Sequence, residues 1–133
     1  MLVNKGKAEM HFGEHLMIDG YGGDAEKLDS KQVIIATINW LVAGLGMQPL
    51  GDVEIHRAYP NNGIKDESGW RAFQIINESH ISIHTFPLRK FIACDVYTCK
   101  PNLDVNLVSS HLQAQFGLEK LEINFIKRGR KTK

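Results

Sequence analysis

The chain lacks any apolar run approaching the roughly 18 residues that a membrane-spanning helix needs. Its opening, Met1-Leu2-Val3-Asn4-Lys5-Gly6-Lys7, is not followed by the apolar segment of a secretory signal. Both absences lead us to expect a cytoplasmic protein with no membrane partner. Cysteine is scarce, with only Cys94 and Cys99. In a reducing compartment these are expected as thiols. Five positions apart on one expected strand, their side chains tend to opposite faces, which argues against a bridge. An excess of charge of one sign is missing too: sixteen Lys and Arg against fifteen Asp and Glu leave a formal +1. Nothing in that balance points to a broad nucleic-acid footprint, and no nucleic-acid partner is expected. The basic cluster Lys127-Arg128-Gly129-Arg130-Lys131 with Lys133 reads as a solvated tail rather than a phosphate-binding patch. No strong internal repeat and no low-complexity segment is visible. With 43% hydrophobic residues, 133 positions suffice for one domain, 1–133, around one core.

The apolar spacing divides the chain into alternating elements. His15 to Tyr21 reads as a strand ending at Gly22-Gly23. Asp29 or Ser30 can cap a helix carrying Ile34, Ile38, Leu41 and Leu45 at the 3.6 period, with Gly44 and Gly46 as the stop. Val53 to Tyr59 is a second strand, broken by Pro60-Asn61-Asn62-Gly63, which opens a polar loop through about Gly69. Trp70 to Asn77, His80 to Phe86 and Phe91 to Thr98 read as three further strands. Val105, Val108, Leu112 and Phe116 mark a second helix closed by Gly117, and Leu121 to Ile126 is a last strand. Strands in runs with two helices predict an α+β fold: a two-layer sandwich with an antiparallel sheet covered by helices on one face.

The chemistry concentrates in Asn77-Glu78-Ser79-His80-Ile81-Ser82-Ile83-His84-Thr85-Phe86-Pro87, with Cys99 twelve residues on. A serine hydroxyl held in a tight connection can attack the preceding carbonyl, here that of Glu78, and turn the amide into an ester. β-Elimination from that ester and hydrolysis leave a pyruvoyl group at the new N-terminus. These steps need a strained peptide, a stabilised oxyanion and a group to move protons. His84 is the local candidate because imidazole titrates near neutrality. A pyruvoyl carbonyl forms a Schiff base with an amine and accepts the electrons of a breaking bond, so decarboxylation of an amino acid is the natural reaction. It ends with protonation of a carbanion. Cys99 can supply that proton if its strand lies beside the strand of His84.

Two blander readings compete. His80, Ser82 and His84 alternate with Ile81 and Ile83, as in any half-buried strand with a polar face. A zinc site from His80, His84, Cys94 and Cys99 fails on distance. Residues four apart on a strand stand about 13 Å apart, against metal bonds near 2.0–2.3 Å. No metal is expected.

The segment NESHISIHTFP followed by DVYTC resembles the S-adenosylmethionine decarboxylases of the short bacterial and archaeal type. Their pattern runs Glu-Ser-His, Ile-His-Thr, an aromatic with Pro-Glu, then Asp-x-(Phe/Tyr)-Thr-Cys. The spacing of twenty from Ser79 to Cys99 is kept, and Phe12-Gly13-Glu14-His15-Leu16-Met17-Ile18-Asp19-Gly20-Tyr21-Gly22 is similar to the family's N-terminal strand motif. The likeness covers nearly the whole chain. It implies self-cleavage between Glu78 and Ser79 into a β chain, 1–78, and an α chain, 79–133. Ser79 becomes the pyruvoyl group, and no diffusible cofactor is implied. His84 assists processing and Cys99 is the proton donor. It also implies an α/β sandwich, a homodimer of processed units with the site near the subunit contact, and a small-molecule substrate used in polyamine synthesis.

Two departures bear on that substrate. Leu88 stands where the family has the glutamate expected to hold ribose hydroxyls, and Arg89-Lys90 replaces the usual Gly-rich turn. Ser68, in Glu67-Ser68-Gly69, lies at a changed distance from Ser79. Leucine accepts no hydrogen bond, so discrimination for a nucleoside should weaken. The alternative substrates are arginine and ornithine, whose distal cation would need an acid such as Asp19, Asp66 or Glu67. A non-catalytic regulatory paralogue is a third reading, set against the retention of Ser79, His84 and Cys99.

Overall fold

Period-two burial organises the sheet. In β1 (Gly13–Tyr21) Leu16 and Ile18 are buried while His15, Met17 and Asp19 are partly exposed. The same alternation runs through β3 (Gly69–Ile76), β4 (Ser79–Phe86) and β5 (Phe91–Thr98). Each strand therefore offers one apolar face, and two helices cover it. These are α2 (Lys31–Gly44), with Ile34, Ile38 and Leu41 fully buried, and α3 (Val105–Phe116), with Val108, Leu112 and Phe116 fully buried. Short α1 (Ala25–Leu28) adds Leu28 to that core, and β2 (Glu54–Ala58) and β6 (Lys120–Arg128) complete the sheet. The computed structural model of the chain describes residues 11–59, 68–77 and 79–131.

The six strands lie in the order β2-β3-β4-β5-β1-β6, every neighbouring pair antiparallel. The expected α+β sandwich, helices on one face of an antiparallel sheet, is the fold found. Among the described residues no helix lies on the other sheet face.

Helix boundaries follow their caps. Ser30, not Asp29, caps α2, its Oγ accepting from the Val33 N–H at 3.2 Å. Asp104 caps α3 through Leu107 at 3.0 Å, and Gly117 ends it at φ 63°, a conformation that costs glycine little. α1 escapes a periodicity reading because four residues span barely one turn. Its cap is legible: Asp24 accepts from the N–H groups of Glu26 and Lys27. β1 and β6 also run further than their apolar cores, because their pairing continues from Tyr21↔Lys120 to Gly13↔Arg128. Most of the predicted polar loop, residues 60–67, lies outside the described residues.

Candidate active site

Ser79 opens β4 and sits opposite Ile76 of β3, so residues 77 and 78 alone connect the two strands. On its other side Ser79 faces Thr98, the last residue of β5. Cys99 leaves β5 at the next position and is exposed, which puts Ser79 and Cys99 at one end of adjacent strands. The row continues across the sheet through Glu14 to Lys127. Ser79 alternates in phase with buried Ile81 and Ile83 and so belongs to the helix-covered face. Glu78, the other side of the predicted cleavage, lies outside the described residues.

His84 stands elsewhere. Five residues along β4 it is about 16 Å from Ser79, and its phase puts it on the uncovered face. Within one chain, therefore, the fold does not bring His84 to Ser79. The strand of Cys99 does lie beside the strand of His84, but His84 pairs with Ala93, at the far end from Cys99. Its own row reads Glu122, Asp19, Ala93, His84, Arg71, His56. Burial and the Arg71 guanidinium hold His84 below the usual imidazole range, so it is neutral and able to take a proton. Arg71 itself is fixed by a bond to Thr85 O at 3.1 Å and by the Phe86 ring at 4.5 Å. Asp19 is pushed up by burial and by the nearby carboxylates of Glu122 and Asp95.

Two clefts match these two ends. One, of about 550 Å³, is lined by His11, Glu14, Cys99, Leu103, Phe125 and Lys127 among others. The second, of about 320 Å³, is lined by Glu54, His56, Arg71, Phe73 and His84 among others. Leu88 lies on a 3-10 turn, Pro87–Arg89, and is 79% exposed. Ser68 accepts from Arg57 at 3.3 Å and precedes Gly69, at the His84 end of β3. Glu67 and Asp66 lie outside the described residues.

Neither cysteine is bridged, and Cys94 is buried against the helices, where burial and Asp95 push its thiol up. It cannot share a metal with His80 or His84 across the sheet. Among the described residues no three His, Cys, Asp or Glu side chains cluster to hold a cation.

Glu14, His11, Arg71 and His56 were not singled out from the sequence. Glu14 did leave a signal: it is an acid in phase with Leu16 and Ile18, where a strand should bury apolar side chains.

Residues 14–129 match the protein family described as S-adenosylmethionine decarboxylase. The chain is 30% identical over 118 residues to an S-adenosylmethionine decarboxylase proenzyme of Clostridium botulinum, covering 89% of this chain and 95% of that one. A proenzyme of the same name from Pyrobaculum arsenaticum is 30% identical over 111 residues, covering 84% and 83%. The crystal structure of an adenosylmethionine decarboxylase from Aquifex aeolicus superposes with a TM-score of 0.75 at 24% identity, over 90% of this chain and 92% of that one. Ser79 and Cys99, at one end of adjacent strands, thus stand within a fold and a sequence pattern of one kind, and the chain belongs to the S-adenosylmethionine decarboxylase family.

Proposed function

We propose that this chain is a proenzyme that cuts itself between Glu78 and Ser79 and then decarboxylates S-adenosylmethionine. The observation that carries the reading is the register Ser79↔Thr98, which puts Cys99 at the same end of adjacent strands as the residue that would become the prosthetic group. The proenzyme names of the relatives support a cut chain. Ser79 is half-buried at a strand end, in the row of Glu14 and Lys127, which line the cleft that Cys99 also lines. The pyruvoyl group supplies a carbonyl that condenses with the substrate amine and draws off the electrons of the breaking carboxyl bond. Cys99 returns a proton to the substrate carbon, and the apolar wall of Phe125 and Leu103 limits water there.

His84 enters this scheme from a second copy. Ser79 with Cys99 and His84 with Arg71 occupy opposite ends of the same strands. A two-fold pairing of two uncovered sheet faces, with its axis across the strands, would bring one end of each copy to the other end of its partner. That face exposes Phe73 at 38%, Ile75 at 51% and Ile126 at 49%, apolar surface of the kind an interface covers. Neutral His84 would then shuttle protons during processing.

A second reading keeps the machinery and exchanges the substrate for arginine or ornithine. Leu88, exposed on its turn, favours it because it offers no acceptor to ribose. Of the three candidate acids Asp19 is the one among the described residues, and it lies in the His84 row, where a cationic side chain would relieve its crowding with Glu122 and Asp95.

The test is direct. Purified chain should run as fragments 1–78 and 79–133, and Ser79→Ala should stay whole; an intact wild-type chain counts against the mechanism. Carboxyl-labelled S-adenosylmethionine, arginine and ornithine, compared by kcat/KM of released carbon dioxide, then assign the substrate. Complete cleavage with no release from any of the three would favour a regulatory paralogue.

A further inference from the structure

Glu14 is the one charged residue in the buried set of the described chain, 4% exposed. Taking a carboxylate out of water costs several kcal/mol unless hydrogen bonds replace the water. Here they do. Its Oε1 accepts from the Leu103 N–H at 2.9 Å, and its Oε2 from Asn102 N–H at 3.4 Å and from His11 Nε2 at 2.8 Å. Burial alone would raise this carboxyl, but the bonds from Leu103, His11 and Asn102 outweigh it and leave it below its ordinary value. An ionised carboxylate only accepts, so His11 Nε2 must be the donor.

The residues that Glu14 holds form the connector that begins at Cys99. Lys100 N–H bonds back to Thr98 Oγ1 at 2.9 Å, its Nζ reaches the carbonyls of Leu45 and Gly46 at 3.0 Å, and Asn102 is held at φ 61°. An exposed strand-to-helix connector does not require a buried charge for its stability. What sets this one apart is position. Glu14 lies in the row of Thr98 and Ser79, two strand spacings or about 10 Å from Ser79, and lines the same cleft as His11 and Cys99.

We propose that Glu14 and His11 are a positioning pair for Cys99: the carboxylate fixes the Asn102–Leu103 backbone, and His11 restores the proton that the thiol gives up. The pair rests on the decarboxylase reading above. In balance, the S–H bond breaks as a C–H bond forms at the substrate carbon. The resulting thiolate takes a proton from the His11 imidazolium, and His11 recovers one from water in the cleft. Glu14 stays ionised throughout and holds the Nε2–H.

The test reads where the proton lands. A proton that reaches the carbon of the prosthetic group instead of the substrate leaves an N-terminal alanine on the 79–133 fragment, with nitrogen taken from the substrate and its carbon released as an aldehyde. N-terminal sequencing sees this alanine and is blind to the blocked fragment. Glu14→Gln and His11→Gln should be cut like wild type and should raise the alanine fraction per turnover roughly tenfold, the loss typical when a group that orients a reacting residue is removed. Gln at position 11 keeps a donor for Glu14 but carries no titrating proton, so a purely structural role predicts no change in it. His11 precedes β1, and this variant decides the matter if Glu14→Gln does not fold. An uncut wild-type chain overturns the decarboxylase reading and the pair with it. A cut, blocked chain with the wild-type alanine fraction in His11→Gln overturns the pair alone.

Discussion

At the residue scale, small side chains and absent ones set the site. Gly69 has φ 149°, and a Cβ there would meet the Thr85 carbonyl oxygen at 1.9 Å. The close approach lets β3 start flush against the turn that follows β4. Gly69→Ala should therefore destabilise the chain by about 2–4 kcal/mol, read as a lower midpoint in urea. Leu88 poses the opposite case. It is exposed and touches no core, so Leu88→Glu should shift stability by no more than about 0.5 kcal/mol. If S-adenosylmethionine is the substrate, the restored acceptor should raise its kcat/KM by about tenfold, while arginine and ornithine turnover stays put. A gain for a plain amino acid instead would mark that carboxylate as a partner for its distal cation.

At the element scale, α2 and α3 touch through an unusual pair. The rings of Trp40 and His111 stack 3.8 Å apart at 9°, and His111 Nε2 is buried without a hydrogen-bond partner. Burial holds this imidazole below its ordinary value of 6.5. The unfolded chain then binds the proton more readily, so the contribution is intact above about pH 6.5 and is lost as pH falls below it. His111→Phe keeps the stack and removes the orphaned nitrogen. It should raise stability by about 1 kcal/mol and flatten the fall in Tm between pH 7 and 5. His80 and His84, also lowered by burial, leave part of that fall in place. The helices themselves were readable from Ile34, Ile38 and Leu41, and from Val108, Leu112 and Phe116, because a 3.6 period with a capping Ser or Asp is a local property. The stacked pair was not, since it joins residues seventy-one positions apart.

At the scale of the whole molecule, one sheet carries Ser79 and Cys99 at one end of its strands and His84 with Arg71 at the other. If each site draws Ser79 and Cys99 from one copy and His84 from another, two defective chains should repair one another. Ser79→Ala and His84→Ala, each expressed alone, should stay uncut. Expressed together, the His84→Ala chain should be cut by the histidine of its partner, visible as a 79–133 fragment on a gel. No fragment from the mixture would place processing within a single chain by some other group.

Alternation of Ile81 and Ile83 with His80, Ser82 and His84 sufficed to predict a strand with a polar face, and NESHISIHTFP followed by DVYTC sufficed to point to the family, because both are matters of residue type and spacing. Which groups meet was not local. The register Ser79↔Thr98 brings Cys99 to the serine's end of the sheet, while His84 stands at the opposite end and on the other face. The same register explains Glu14: an acid in a core phase looks like an error along one strand. Only the packing of β1 beside β5, with the Asn102–Leu103 amides above it, supplies the bonds that let its charge stay buried.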